Sequence, residues 1–326
     1  MNDAFIRTLA EMVGTAAPLL IAAQGELITE RAGVVNLSLD GTILLAAMAA
    51  FAVAIETDST EAGILAAMLV GMVVALIIIA ANVFLNVNQI AVGFVLTLLC
   101  ADLSNYLGQP YVSAPGGAVE IPAAPIPLLK DIPVIGEIFF DHNLMVYFSF
   151  GLVFAIWFWI YRTSPGLALR ALGERPSAAY VRGLQVQGLR FLYVAIGGAL
   201  VGLAGAAYSL NVQLGWEEGS TLGQGWIALA IVIFGTWKPF RILAGAYLIV
   251  GLRSLALYLQ RQQSLDLSVH VLNMIPWLLM LLTLMFIASG IAEYLIVLLP
   301  EKWRSSARQL LRADPPAALG QAFQKE

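Results

Sequence analysis

The sequence predicts an all-α polytopic membrane protein, and three observations carry that prediction. Hydrophobic residues fill 60% of the 326 positions and charged residues only 12%, against roughly 45–50% and about 25% in soluble domains. The apolar residues gather into runs of the ~20 residues that a helix needs to cross a bilayer, and the mean hydropathy is +0.84. Between two of those runs, Arg162 to Arg190 holds five arginines and one acid, Glu174. A loop this basic belongs on the cytoplasmic side. The net charge of −4 decides little, because placement of charge matters more than its sum.

Taken in order, the expected spans are Met12–Ile28, Val34–Ile55, Ala62–Leu85 and Ile90–Leu107. Gln109–Asn143 follows, with six prolines, four acids and a single lysine, Lys130. It reads as an external loop that includes a short re-entrant or interfacial piece. Leu144–Tyr161 is the fifth span and ends in aromatic residues suited to a membrane interface. Phe191–Leu210 is the sixth. Its Gly198 and Gly202 stand four apart, a small-residue stripe for close helix contact and a candidate face for a second membrane subunit. Trp226–Trp237 is too short to cross comfortably alone, Lys238–Arg241 marks a cytoplasmic turn, and Ile242–Leu259 and Val271–Ala288 complete nine. Nine spans place the N-terminus outside; eight would place it inside. The first hydrophobic stretch lacks a basic leader and small-residue cleavage site, so it is expected to be retained. One membrane domain over residues 1–300 is expected, then a cytoplasmic tail over 301–326 that is mostly surface or disordered past Asp314.

Two apolar runs are led by polar, glycine-rich approaches: Gly33–Gly41, with Asn36, Ser38 and Asp40, and Glu218–Gly225, just before Trp226. A paired interruption of this kind marks the substrate site of inverted-repeat transporters, and a weak inverted repeat is the expectation. Asp40 either holds a helix junction or touches solute. Glu26, near Glu30 and Arg31, is expected at a membrane face in a structural role. Asn82, Asn86, Asn88 and Gln89 form an amide-rich junction that either caps helix ends or binds a polar neutral ligand. Asp102 and Asn105 lie near the outer end of the fourth span.

Several chemistries are absent from the sequence. There is no His-Glu-x-x-His or Cys-x-x-Cys spacing for a metal, and only one cysteine, Cys100, inside an apolar run. There is no Gly-x-Ser-x-Gly elbow, and none of the four lysines follows a glycine as a phosphate-binding loop requires. The chain is therefore expected not to be an enzyme; an intramembrane lipid transferase would need a nucleophile and base that are not visible. No paired carboxylate or buried histidine chain is visible in the sequence to suggest a proton relay. Inside the basic loop, Pro176 suits a first helical position, Ser177–Arg182 continues a helix of two turns, and Gly183 can stop it. That piece is either local helix in a solvated loop or a docking helix offered to a soluble partner.

The stretch Glu30–Gly41 resembles the signature near the start of permease subunits of ATP-binding-cassette importers for nucleosides and simple sugars. Asn88–Gly93, Ala171–Ala179 and Gly225–Pro239 resemble later motifs of the same group. Asp40 departs from the pattern, where that group often has Glu. The resemblance implies a type II importer transmembrane fold of about eight to ten spans in the bacterial inner membrane. It implies a cytoplasmic coupling segment over Gly173–Gly183, with Gly173, Glu174, Pro176, Ala178, Ala179 and Arg182 as docking residues. It implies as partners an ATPase that carries two nucleotide-binding domains in one chain and binds the ATP and Mg, a second permease in a heterodimer of which this is the shorter member, and an extracytoplasmic binding protein. Membrane lipid is a further expected partner; no cofactor in this chain and no nucleic acid are expected. Asn36, Asp40, Asn88, Gln89 and Trp226 are the residues expected along the substrate path. A nucleoside or nucleobase is the expected solute; a sugar or branched-chain amino acid, or an ion-coupled secondary carrier, are the alternatives.

Overall fold

The computed structural model describes residues 3–112, 114, 119–261, 274, 278, 281, 282, 285, 315–321 and 323. Helices account for the whole framework: α1 Asp3–Arg31, α2 Leu39–Thr57, α3 Thr60–Leu85, α4 Gln89–Gly108, α5 Ile135–Phe139, α6 Leu144–Arg162, α7 Ser164–Glu174, α8 Pro176–Val181, α9 Val186–Ala207, α10 Gln224–Phe234 and α11 Pro239–Arg261. Among the described residues, seven helices are long and apolar enough to cross a membrane: α1, α2, α3, α4, α6, α9 and α11. Of the ninth expected span, Met274, Leu278, Leu281, Leu282 and Met285 are helical and exposed; its other residues, with Pro276, lie outside the described residues.

The helix ends follow local chemistry. Ser59, Asn88, Asn143 and Thr163 each accept a backbone N–H from the first turn of the helix they precede, satisfying groups that have no partner inside the helix. Thr163 does so with Pro165 in the first turn of α7. Proline lacks an N–H and crowds the preceding turn, which is why α6 and α7 are two helices and not one. The basic loop thus contains a second helix, α7, in addition to the short one the sequence predicts.

Helix α9 is the central rod. It packs against α1, α2 and α3, and glycines make each approach close. A Cβ added at Gly197 would sit 2.7 Å from the carbonyl oxygen of Gly25 in α1. One at Gly202 would sit 2.1 Å from the Ala67 carbonyl oxygen in α3, and one at Gly205 would sit 2.7 Å from that of Ile43 in α2. Such distances leave no room for a side chain on α9, so the seams depend on close van der Waals contact between its glycines and the backbone and small side chains, Thr29 and Ala46, of the facing helices. Gly198 meets Gly71 and Ala75 of α3. The Gly198/Gly202 stripe is therefore occupied within the chain and is not a face for a second subunit, because α3 already fills it. Exposed apolar side chains lie instead along α3 and α4, including Leu65, Leu69, Val73, Phe94, Leu98 and Leu99.

Two short segments depart from through-going helices. The chain from Gly33 to Ser38 leaves α1 and turns back into the bundle, where Leu37 meets Gly93 and Gly41 meets Thr97 of α4; the Thr97 hydroxyl donates to the Leu37 carbonyl at 2.7 Å. Helix α10 has 11 residues. At 1.5 Å per residue it spans about 16 Å, roughly half of a bilayer core. It is the shortened run that the sequence marks. The last turn of α9 opens into a π-helical stretch, Tyr208–Val212, and the Tyr208 hydroxyl donates to Gln224 at the start of α10 at 3.0 Å.

The described residues past Asp314 lie mostly on the surface and are folded. Residues 315–321 fold back onto the end of the molecule that carries α7, where the Ala318 N–H donates to the Gly173 carbonyl at 2.8 Å. Pro316 and Ala318 are buried there.

Candidate functional site

The candidate site has two parts, an exposed face at the basic end of the bundle and a buried junction beneath it. At the face, α8 begins with Pro176 in its first turn and is stopped by Gly183, whose φ of +86° an L side chain rarely adopts. Ala179 is buried and anchors the helix, while Ala178 and Arg182 are exposed. Val181 is 86% exposed. Grooves flank α8 on both sides. One, of about 600 Å³, runs between α7 and α8 past Leu167, Ala171, Glu174, Ala178 and Arg182. The other, of about 510 Å³, is bounded by Tyr180, Gly183, Gln185, Gln187 and Phe323. Gly173 closes α7 onto α1, since a Cβ there would lie 2.3 Å from the Arg31 carbonyl oxygen. The face therefore stands directly on the end of α1, and α1 ends on the side that carries the basic loop.

From the end of α1 the structure leads inward through hydrogen bonds. The Arg31 guanidinium donates to the Trp237 carbonyl, at 2.7 Å from Nη2. The Trp237 indole N–H donates to the Glu30 carboxylate, and Gln24 Nε2 donates to the Pro239 carbonyl at 3.0 Å. Together these pin α1 to the turn between α10 and α11. Glu26, expected at a membrane face, is fully buried because the returning Gly33–Ser38 segment covers it. Its Oε1 accepts the Asn36 N–H at 3.2 Å, and its Oε2 has no partner among the described residues.

Asn36 turns its side chain back on the chain: Oδ1 accepts the Ser38 N–H at 3.0 Å and the Ser38 hydroxyl at 2.6 Å. This local turn competes with helix and delays the start of α2 to Leu39. Asp40, one residue inside α2 and 3% exposed, accepts the Gly225 N–H of α10 at 3.0 Å. The backbone of Gly223 and Trp226 also donates toward it. A carboxylate facing the first turn of α10 meets the positive end of that helix. The two helix starts touch so closely that a Cβ at Gly225 would lie 2.2 Å from the Asp40 nitrogen. The two polar approaches marked in the sequence thus meet each other.

The other predicted residues take these places. Gln89 is buried; its Oε1 accepts the Val35 N–H at 2.9 Å and its Nε2 donates to Asn82 at 2.9 Å. Asn88 is exposed and accepts the Ile90 N–H at 2.8 Å. Trp226 is half-buried in the first turn of α10. Glu174 ends α7 and is exposed. Asp102 is exposed on α4, and Asn105 Oδ1 is buried without a partner among the described residues. Val181 and Phe323 were not marked by the sequence as belonging to this face. Val181 adjoins the predicted residue Arg182, and its exposure is visible only once α8 is placed. Phe323 reaches the face from far along the chain.

Comparison with known proteins decides the family. The family described as branched-chain amino acid transport system / permease component matches residues 8–296. This chain belongs to that permease family. It is 38% identical over 260 residues, 78% of each chain, to TsgC13 of Haloferax volcanii, an ABC transporter permease protein provisionally named for glucose. The guanosine ABC transporter permease protein NupQ of Bacillus subtilis is 33% identical over 241 residues, 71% of this chain and 76% of its own. The nucleoside ABC transporter permease protein NupC of Lactococcus lactis is 31% identical over 264 residues, 76% of this chain and 81% of its own. No solved structure matches the chain. The protein is thus a multi-pass membrane permease, the transmembrane component of an ABC transport system for small polar solutes, and such components are not themselves enzymes.

Proposed function

We propose that this permease imports a nucleoside or nucleobase and that a separate ATPase drives it through α8. The observation that carries the docking role is the exposed Val181–Arg182 tip between two grooves. An ATPase with two nucleotide-binding domains in one chain supplies ATP and Mg chemistry, a second permease completes the path, and an extracytoplasmic binding protein delivers solute at the bacterial inner membrane. The names of NupQ and NupC support the substrate. In this reading Gly173, Pro176 and Ala179 set the position of α8, while Glu174, Ala178 and Arg182 meet the ATPase. Asn36, Asp40 and Gln89 shape the substrate path by holding helix ends, and Trp226 and Asn88, which keep exposed surface, are left to touch solute. Glucose is the second reading, supported by the name and higher identity of TsgC13.

The test is uptake by the complete transporter in proteoliposomes, with radiolabelled guanosine and glucose in parallel and ATP consumption measured alongside. Guanosine uptake that needs ATP supports the reading, and glucose uptake alone transfers it to sugar. Uptake by the isolated permease under a cation gradient, with no ATPase present, would overturn it. Arg182→Glu is expected to lower uptake per ATP by about tenfold, a loss within the ordinary range of coupling between sites.

A further inference from the structure

The described residues between Pro315 and Phe323 lie against α7, α8, α9 and the end of α1. The Ala318 N–H donates to the carbonyl of Gly173, the last-turn glycine of α7, at 2.8 Å. The Gly320 N–H donates at 3.0 Å to the carbonyl of Gly33, where the chain leaves α1 for the buried junction. Arg190, in the first turns of α9, donates through Nη1 to the Gln321 carbonyl at 3.2 Å. The Phe323 ring packs on the Tyr180 ring of α8, with centroids 5.8 Å apart and planes at 56°. The end of α1 and the three consecutive elements α7, α8 and α9 are thus all bonded or packed to one short segment.

The side chains show why the segment fits. Gly173 and Gly33 have no Cβ at the points of contact: a Cβ on Gly173 would lie 3.1 Å from Pro316 Cβ, and one on Gly33 would lie 3.2 Å from the Ala318 carbonyl oxygen. Gly320 holds φ at +74°, a conformation open to glycine and strained for most others, and this aims its N–H at Gly33. Arg190 is 1% exposed. Among the described residues its Nε and Nη2 have no partner, so the Gln321 carbonyl supplies a bond to a buried cation. A buried charge left without that bond is strongly destabilising. The turn is also tied internally, with the Leu319 N–H donating to the Pro316 carbonyl at 2.9 Å.

We propose that Pro315–Phe323 is a positioning strap, which holds α8 in register with the Gly33–Asn36 segment so that displacement of α8 reaches the Asp40–Gly225 junction. This rests on the docking role given to α8 above. The connection is short. Gly33, held by the strap, is two residues from Val35, which Gln89 holds, and three from Asn36, which Glu26 holds. Coupling between sites needs an element whose position both sites bias; the strap packs on α8 through Phe323 and bonds to Gly33, at the start of the segment that leads to the junction. α7 also touches α1 directly at Gly173 and Arg31; the strap adds the Phe323 ring contact with Tyr180 of α8.

The experiment uses the complete transporter, with radiolabelled guanosine as the transported probe and ATP hydrolysed per solute imported as the readout. The variants are Phe323→Ala, Phe323→Tyr, Ala318→Pro, which removes the N–H that Gly173 receives, and a chain ending at Asp314. Phe323→Ala, Ala318→Pro and the truncation are expected to keep the ATPase co-purifying and to raise ATP per solute about fivefold or more. Phe323→Tyr keeps the aromatic contact and is expected to stay within about twofold of the unchanged protein. A ratio left unchanged by all three disruptive variants overturns the strap. So does loss of ATPase co-purification in them, which would make the segment an assembly surface. If the truncated chain does not reach the membrane, the two point variants decide alone. Arg182→Glu separates the two readings. Should it leave coupling normal, the α8 docking role falls; should it uncouple while the strap variants do not, the strap falls by itself.

Discussion

At the scale of single residues, the glycines of α9 and the carboxylate of Asp40 carry the sharpest consequences. Gly202→Val would drive a branched side chain into the Ala67 carbonyl, where even a Cβ would stand 2.1 Å away. Overpacking in a filled core costs about 1–3 kcal/mol and at times more, so the purified variant is expected to aggregate at a clearly lower temperature by size-exclusion after heating. Gly151→Ala, at a position with nothing within 4 Å, is the matched control and is expected to change nothing. Asp40→Ala removes the acceptor of the Gly225 N–H and leaves a buried donor unpaired, at about 1–3 kcal/mol. Asp40→Asn keeps an acceptor oxygen and is expected to lose less, in both thermal stability and uptake. Asp40 also shows how far the sequence could be read. Its place beside Asn36 and Ser38 marks a junction, but only the fold shows that the other half of that junction is Gly225, which stands 185 positions along.

At the scale of elements, helix starts were legible where a side chain caps them and less so where packing sets them. Asn88 and Asn143 open α4 and α6 close to the expected boundaries. Helix α1 begins at Asp3, nine residues before the expected Met12, because Arg7 and Glu11 stay on exposed surface while Ile6 and Val13 are buried. Helix α9 begins at Val186 and not Phe191, because Arg190, whose charge reads as loop, is buried at the strap. Helix α7 lay hidden in a segment whose arginines dominate its pattern; the Thr163–Ser164–Pro165 cap was its one local signal. A prediction belongs here too. Gly183 ends α8 at a φ of +86° with open space around it, so Gly183→Ala introduces backbone strain of about 1–2 kcal/mol without a clash. The variant is expected to assemble normally and to import less solute per ATP, measured in the reconstituted transporter.

At the scale of the whole molecule, the membrane architecture was legible because long apolar runs have few other folds open to them in a bilayer. The strap was not. It has no apolar period, and its place is set by backbone bonds to Gly173 and Gly33, far away in sequence. The placement of α1 and α7 at one end fixes relative sidedness: the end of α1, α8 and the strap lie together, and the Glu217–Glu218 loop follows α9 at its far end. With Cys100→Ala removing the lone thiol, Ser177→Cys is expected to react with an impermeant maleimide only from the cytoplasmic side. Glu218→Cys is expected to react only from outside. The reverse pattern would contradict the sidedness that the basic loop implies.

The seams around α9 have a mechanical consequence. Where Gly197, Gly202 and Gly205 meet α1, α3 and α2, spacing is set by the thickness of polypeptide itself. Apart from the Thr29 hydroxyl beside Gly197, no rotatable side chain stands among the nearest atoms there to widen or narrow the gap. A change of spacing at these seams therefore requires whole rods to shift against one another.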